Sequence, residues 1–146
     1  MASQRAQDPD SMERVNPIVV SALALVRDRR LLMVTARDRD VLYLPGGKVE
    51  PGETGAAAVI RESLEEVSVR LERTSVRELF TVSEQAHGEP DGRLVEMTLF
   101  AADTRDEPRP AAEVGSLTWV TTADADRCPP AGVATLAQMS SLGLID

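Results

Sequence analysis

Apolar positions along the chain fall into short runs separated by polar turns, with two stretches of helical spacing among them. Residues 18–26 (IVVSALALV) are apolar and β-rich and predict a buried strand. Residues 27–30 form a polar turn, and residues 31–36 (LLMVTA) predict its hairpin partner. A second charged turn, 37–40, leads into a short apolar run, 41–44. Pro45, Gly46, Gly47, Pro51, Gly52 and Gly55 then crowd together, which marks a loop of special backbone geometry. Further strands are predicted over 76–83, 94–102 and 117–121, with a turn at 88–92 and a charged, Pro-containing loop over 104–110. Pro129 and Pro130 open a last helix reaching about Leu142, since proline suits the first helical turn. Strands in mixed order with two helices predict an α/β fold whose sheet is covered on both faces.

The strongest helix is expected from about Thr54 to Val67. At about 100° per residue, Ile60, Leu64 and Val67 share an apolar stripe, and Glu62, Glu65 and Glu66 gather on the opposite face. Glutamates on an outer helix face are ordinary, and Arg61 with Glu65 makes an ordinary i,i+4 pair. Two features favour more than a solvated face. Glu62 and Glu66 repel one another at i,i+4 unless something positive lies among them. The helix is also fed by a glycine-rich loop whose bare backbone can approach a ligand. Hard oxygen ligands of this kind suit Mg²⁺ or Mn²⁺.

Composition narrows the picture. The chain has 146 residues, enough for one domain with a real core. Aromatics are 3%, so the core must be aliphatic. A net charge of −8 argues against duplex nucleic acid as a partner, and it requires cations between this protein and any phosphorylated substrate. Cys128 is the only cysteine, so no intrachain disulfide forms; beside two prolines it reads as a small loop residue. No apolar run is long enough to span a membrane, and residues 1–15 read as a flexible polar tail preceding a domain over 16–146. Cytoplasmic residence is the default expectation.

The segment from Gly47 to Val69 resembles the Nudix box, G-x5-E-x7-R-E-U-x-E-E-x-G-U with U a bulky apolar residue. Gly47, Glu53, Arg61, Glu62, Glu65, Glu66 and Val69 stand at matching places, and Leu44-Pro45-Gly46 is similar to the usual approach to the box. Two positions depart: Ser63 replaces an apolar residue and Ser68 replaces a glycine. The Ser63 hydroxyl is expected to bond back to a carbonyl one turn earlier. Ser68 is expected to carry strain of about 1 kcal/mol if the helix ends there in the left-handed conformation.

The resemblance implies a Nudix-type α/β/α sandwich with a mixed β-sheet. It also implies a Mg²⁺-dependent pyrophosphohydrolase acting on a nucleoside diphosphate derivative, with a homodimer compatible. Glu62, Glu65, Glu66 and the Gly46 carbonyl are the implied metal ligands, with Glu113 a later-loop candidate and Glu96 a weaker one. Arg61 orients the cluster, Glu53 braces the loop against the helix or supports the metals, and Gly47 and Lys48 face the substrate. Glu62 is the expected general base or water-positioning carboxylate, a task that Glu113 takes if the base lies on a later loop.

Branch marks favour no single substrate. The proline typical of ADP-ribose hydrolases is absent from residues 84–87, and the only tyrosine is Tyr43 rather than one downstream. Pro129-Pro130-Ala131 resembles the MutT-type branch, but Gly132 stands where a base-reading Asn is usual. A (deoxy)nucleoside triphosphate is the first expectation. Alternatives are ADP-ribose, nucleotide sugars or dinucleoside polyphosphates, or a non-catalytic nucleotide-binding module. Tyr43, Phe80, Phe100 and Trp119 are expected in the core, and His87, in a predicted turn with no nearby partner in sequence, in solvent.

Overall fold

The computed structural model describes residues 16–146, so the tail expected over residues 1–15 lies outside the described residues. Among the described residues, seven strands and two α-helices follow in the order β1 (Ile18–Leu23), β2 (Val26–Arg27), β3 (Arg30–Ala36), β4 (Gly46–Lys48), α1 (Gly55–Val67), β5 (Arg77–Gln85), β6 (Leu94–Ala101), β7 (Val114–Val120) and α2 (Pro130–Ser141). The strands form two sheets. One runs β4-β1-β6-β5, with β1 and β6 parallel and its other pairs antiparallel. The other runs β2-β3-β7 and is antiparallel throughout.

The expected hairpin between the first two apolar runs is corrected here. β1 stops at Leu23 and pairs with β4 and β6, not with β3. The chain changes sheets at Ala24 and Leu25, where the Ala24 amide still bonds to Phe100 of the first sheet and the Leu25 carbonyl already accepts from Leu32 of the second. Only the two residues of β2 make a hairpin with β3. Its turn places Asp28 (φ 52°) and Arg29 (φ 61°) in the left-handed region, the geometry that matches strand twist in a two-residue loop.

β3 is buried on both faces, which explains its uninterrupted apolar sequence. Leu31 and Met33 join Ala22, Leu99, Leu136 and Met139 in a core under α2. Leu32 and Val34 join Leu23, Val59, Val67 and Phe100 in a second core under α1. Each helix thus covers its own face of the strand layer, the expected sandwich.

Helix α1 buries the stripe that its hydrophobicity suggests only in part: Val67 is in the core and Ile60 packs against it, but Leu64 is not buried. Leu64 is 49% exposed, whereas Ala58, Val59, Ser63 and Val67 are buried. Small residues decide this: a Cβ on Gly55 would come within 3.0 Å of the Phe100 ring, so the helix start lies close against the sheet. Ser63 faces the core, and its hydroxyl has no hydrogen-bond partner, so the expected bond back to a carbonyl does not form. Ser68 ends the helix in the left-handed conformation, φ 61°, as the box pattern leads one to expect of that position.

Candidate active site

The Thr54 side chain accepts a hydrogen bond from the Ala57 amide and caps α1, so the glycine-rich loop passes directly into the helix. Arg61 then organises what surrounds it. Its Nε and Nη2 donate to the two oxygens of Glu53, each at 2.9 Å, and its Nη1 donates to Glu62 at 2.7 Å. Nη2 also reaches the Lys48 carbonyl at 3.2 Å, tying the helix to β4. A planar fork with several donors is the group that can make these bonds together. Glu65 stands 3.6 Å from the same guanidinium and is half exposed.

Glu53 receives a further hydrogen bond from the Glu50 amide. The Arg61 bonds, then this amide, hold its carboxyl down to about 2. Arg61 is itself pushed up by Glu53 and Glu62. Glu53 and Arg61 are therefore an ionised pair that joins loop and helix.

Glu66 lies one turn beyond Glu62 and accepts from the Gly46 amide at 2.9 Å. Burial is the main cause that pushes its carboxyl up to about 7, with the charges of Glu62 and Glu65 adding and the Gly46 bond opposing. Gly47 packs against the Glu62 carboxylate, where a Cβ would come within 2.5 Å of an oxygen. Any larger residue would displace Glu62. Lys48 is exposed, and its contribution to this network is its carbonyl.

Whether these residues suit a divalent cation is a question of donor chemistry and unbalanced charge. Among the described residues no three acidic, His or Cys side chains already stand gathered as a metal site. Glu62 is turned to Arg61 and Glu66 to Gly46. The donors are nonetheless hard carboxylate oxygens on one helix face. The cation nearest them is Arg61, committed to Glu53 and Glu62, so Glu66 is left desolvated beside two like charges. That imbalance is one a divalent ion would relieve, and the set fits.

A cleft of about 380 Å³ opens beside this network. Gly46 and Glu66 line it, and so does Glu113, which is exposed and whose carbonyl accepts from the Arg37 amide. The loop carrying Glu113 is tied to the end of α1 by bonds from the Arg109 and Ala111 amides to the Val67 and Glu66 carbonyls. Glu96 is exposed and alternates with the cleft-lining Val95 and Met97 of β6, so it is not brought to the site.

One expectation about the aromatic residues fails. Tyr43 is not in the core; it is 37% exposed and lines the cleft. His87 is exposed as expected, and its ring meets Tyr43 edge-on, with centroids 6.1 Å apart. Phe100 is buried as expected, while Trp119 is partly exposed under the Arg27 guanidinium. Cys128 packs near Met33 and Gly132, and burial pushes its thiol up to about 11, so it is an inert packing residue. Among the described residues no helix is long and apolar enough to cross a membrane.

Residues 16–140 match the family model described as NUDIX domain. No curated protein matches by sequence. Solved structures do match. The chain is 28% identical to a MutT NUDIX hydrolase from Burkholderia pseudomallei, with a TM-score of 0.66 over 84% of this chain and 98% of that one. The ORF135 protein of E. coli gives a TM-score of 0.71 at 23% identity, over 88% and 92%. The dihydroneopterin triphosphate pyrophosphohydrolase of E. coli gives 0.64 at 22% identity, over 82% and 92%. At such identities the likeness to the two E. coli proteins is one of fold.

Proposed function

Because the chain belongs to the NUDIX domain family and is a pyrophosphohydrolase of it, we propose that it cuts a phosphoanhydride bond in a nucleoside diphosphate derivative, first of all a (deoxy)nucleoside triphosphate, giving the monophosphate and pyrophosphate with Mg²⁺ as cofactor. The observation that carries this reading is the Arg61 fork. It holds Glu53 and Glu62 in one network, and the neighbouring Glu66 reaches the Gly46 amide at the edge of the cleft.

Hydrolases of this family use divalent metal ions. Glu62, Glu65, Glu66 and the Gly46 carbonyl are the groups that would hold Mg²⁺ here, Mn²⁺ substituting, with Glu113 at the rim as a further donor. When bound, the ion offsets phosphate charge and polarises the phosphorus. The protein's own groups do the rest. Arg61 holds the Glu62 carboxylate aimed, through a bond of 2.7 Å. Glu62 then accepts the proton of the attacking water, or orients that water. Gly47 leaves room for that carboxylate. Glu53 keeps Arg61 from swinging away. Gly47 and Lys48, on β4, are the residues that would meet the phosphate chain.

The test is Glu62→Gln, assayed by pyrophosphate release from the four dNTPs at saturating Mg²⁺. Turnover should fall by about 100-fold or more, the worth of a positioned base. A variant within a few-fold of the parent would remove Glu62 from the chemistry and leave Glu113 to be tested in its place.

A further inference from the structure

The cleft has two unlike ends. Gly46 lies on β4, one edge of the four-stranded sheet, and β5 is the other edge. Three strand spacings, about 14 Å, separate them. The floor between is Ile18 and Val20 of β1 beside Val95 and Met97 of β6. The pairs Ile18↔Val95 and Val20↔Met97 are in register, so the four side chains share one face. Glu66 enters at the Gly46 end. His87 follows the last residue pairs of β5, and Tyr43 meets it there.

A nucleotide has the same polarity, with anions at one end and an aromatic ring at the other. Resting on the hydrolase reading above, we infer that Tyr43 and His87 form the nucleobase station of this cleft, that they hold the base by its ring faces, and that the enzyme discriminates weakly among bases. The state of the cleft's polar side chains carries the last point. Gln85 is the cleft's amide side chain and the natural reader of a base edge. Its Nε2 donates to the carbonyls of Ala86, Glu89 and Pro90, at 3.3, 3.3 and 2.9 Å, and its Oε1 accepts from the Gly92 amide at 2.8 Å. The Thr35 hydroxyl is likewise bonded to that of Ser116. Apart from Glu66 at the Gly46 end, the remaining polar side chains, on Tyr43, His87 and Glu113, are on exposed residues, where water competes for their hydrogen bonds. Ring faces do not depend on base identity, because every base has one.

The Gln85 bonds have a second effect. They close residues 86–92 into a fixed loop, and His87 is carried on it. Gln85 is therefore a positioning residue for the station and touches no substrate in this scheme.

Steady-state kinetics on the full chain with Mg²⁺ and dATP, dGTP, dCTP or dTTP test this. kcat/KM should vary by no more than about tenfold across the four. Tyr43→Ala and His87→Ala should each raise KM about tenfold for all four, the usual consequence of losing one stacking partner, with the effect falling on KM rather than kcat. Tyr43→Phe and His87→Phe, which restore a ring, should recover the KM. Gln85→Leu should raise KM in the same direction by a smaller factor. Thermal melts confirm that each variant is folded. Alanine variants that leave KM in place, phenylalanine variants that fail to recover it, or a preference for one base beyond 100-fold overturn the inference while hydrolysis itself stands. A folded parent protein that hydrolyses none of the four overturns the triphosphate reading and the inference with it.

Discussion

At the Gly46 end of the cleft the contacting groups are charged or backbone, and they come from one stretch of chain: Gly46 and Glu66 are 20 residues apart. At the β5 end two rings meet from segments on different sheets, Tyr43 bridged to Val34 of β3 and His87 just beyond β5. The charged end is a local device, built by one loop and one helix around one guanidinium. The aromatic end exists only once both sheets are assembled. Damage to the first should therefore disturb chemistry, and damage to the second should disturb substrate affinity.

After Glu62→Gln, the variant with the largest expected effect is Arg61→Lys. An ammonium cannot bond both Glu53 oxygens and Glu62 together. Turnover should drop on the order of tenfold, as when a carboxylate's supporting partner is lost. Urea unfolding should show a loss of about 2 kcal/mol, from hydrogen bonds to charged groups. Equal KM values for parent and variant would sharpen the contrast between the ends; a rise in KM alone would break it.

Next comes pH. Glu66 is raised from an ordinary carboxyl value to about 7 in the folded protein. Between the ordinary value and about 7 the folded chain thus holds a proton that the unfolded chain has released. Stability contributed at Glu66 is present at low pH and is lost as pH rises through that window. With EDTA present, the melting temperature of Glu66→Gln should fall less than the parent's between pH 5 and 7.5, values chosen to bracket the window. With metal, the sign reverses: the ion needs the carboxylate ionised, so affinity for Mg²⁺, followed by titration calorimetry, should strengthen with pH to about 7 and then level off.

The smallest effects belong to the scaffold under the charged end. Ser63→Ala removes a buried hydroxyl that has no partner and should stabilise the fold by about 1 kcal/mol. Ser68→Gly relieves a left-handed residue and should add about 0.5–1 kcal/mol. Both are read from denaturant midpoints, and neither should alter kcat. A changed kcat in either would show that the helix, and not only its glutamates, tunes the site.

How far each feature could be read from sequence follows the same division. The carboxylate face of α1 was legible because helix geometry fixes the spacing of Glu62, Glu65 and Glu66, and the resemblance to the box added Arg61 and Glu53 to it. The buried face of α1 was not, because hydrophobicity favours Leu64 whereas close approach to the sheet selects Ala58 and Ser63. The two apolar runs at 18–26 and 31–36 were recognisable as strands. Their separation into different sheets was not, since an uninterrupted apolar run carries no mark of where the chain leaves one sheet for the other. Tyr43 and His87 carried no joint signal: each is a lone ring beside a turn, and only the meeting of their segments makes them a pair.

β3 gives Leu31 and Met33 to one core and Leu32 and Val34 to the other, so it is common property of both halves. Neither helix can be peeled away with its own share of the interior, because the strand beneath cannot leave one partner without abandoning the second. Heat should then melt the molecule in one concerted event, and a cut anywhere along 30–36 would forfeit both interiors at once.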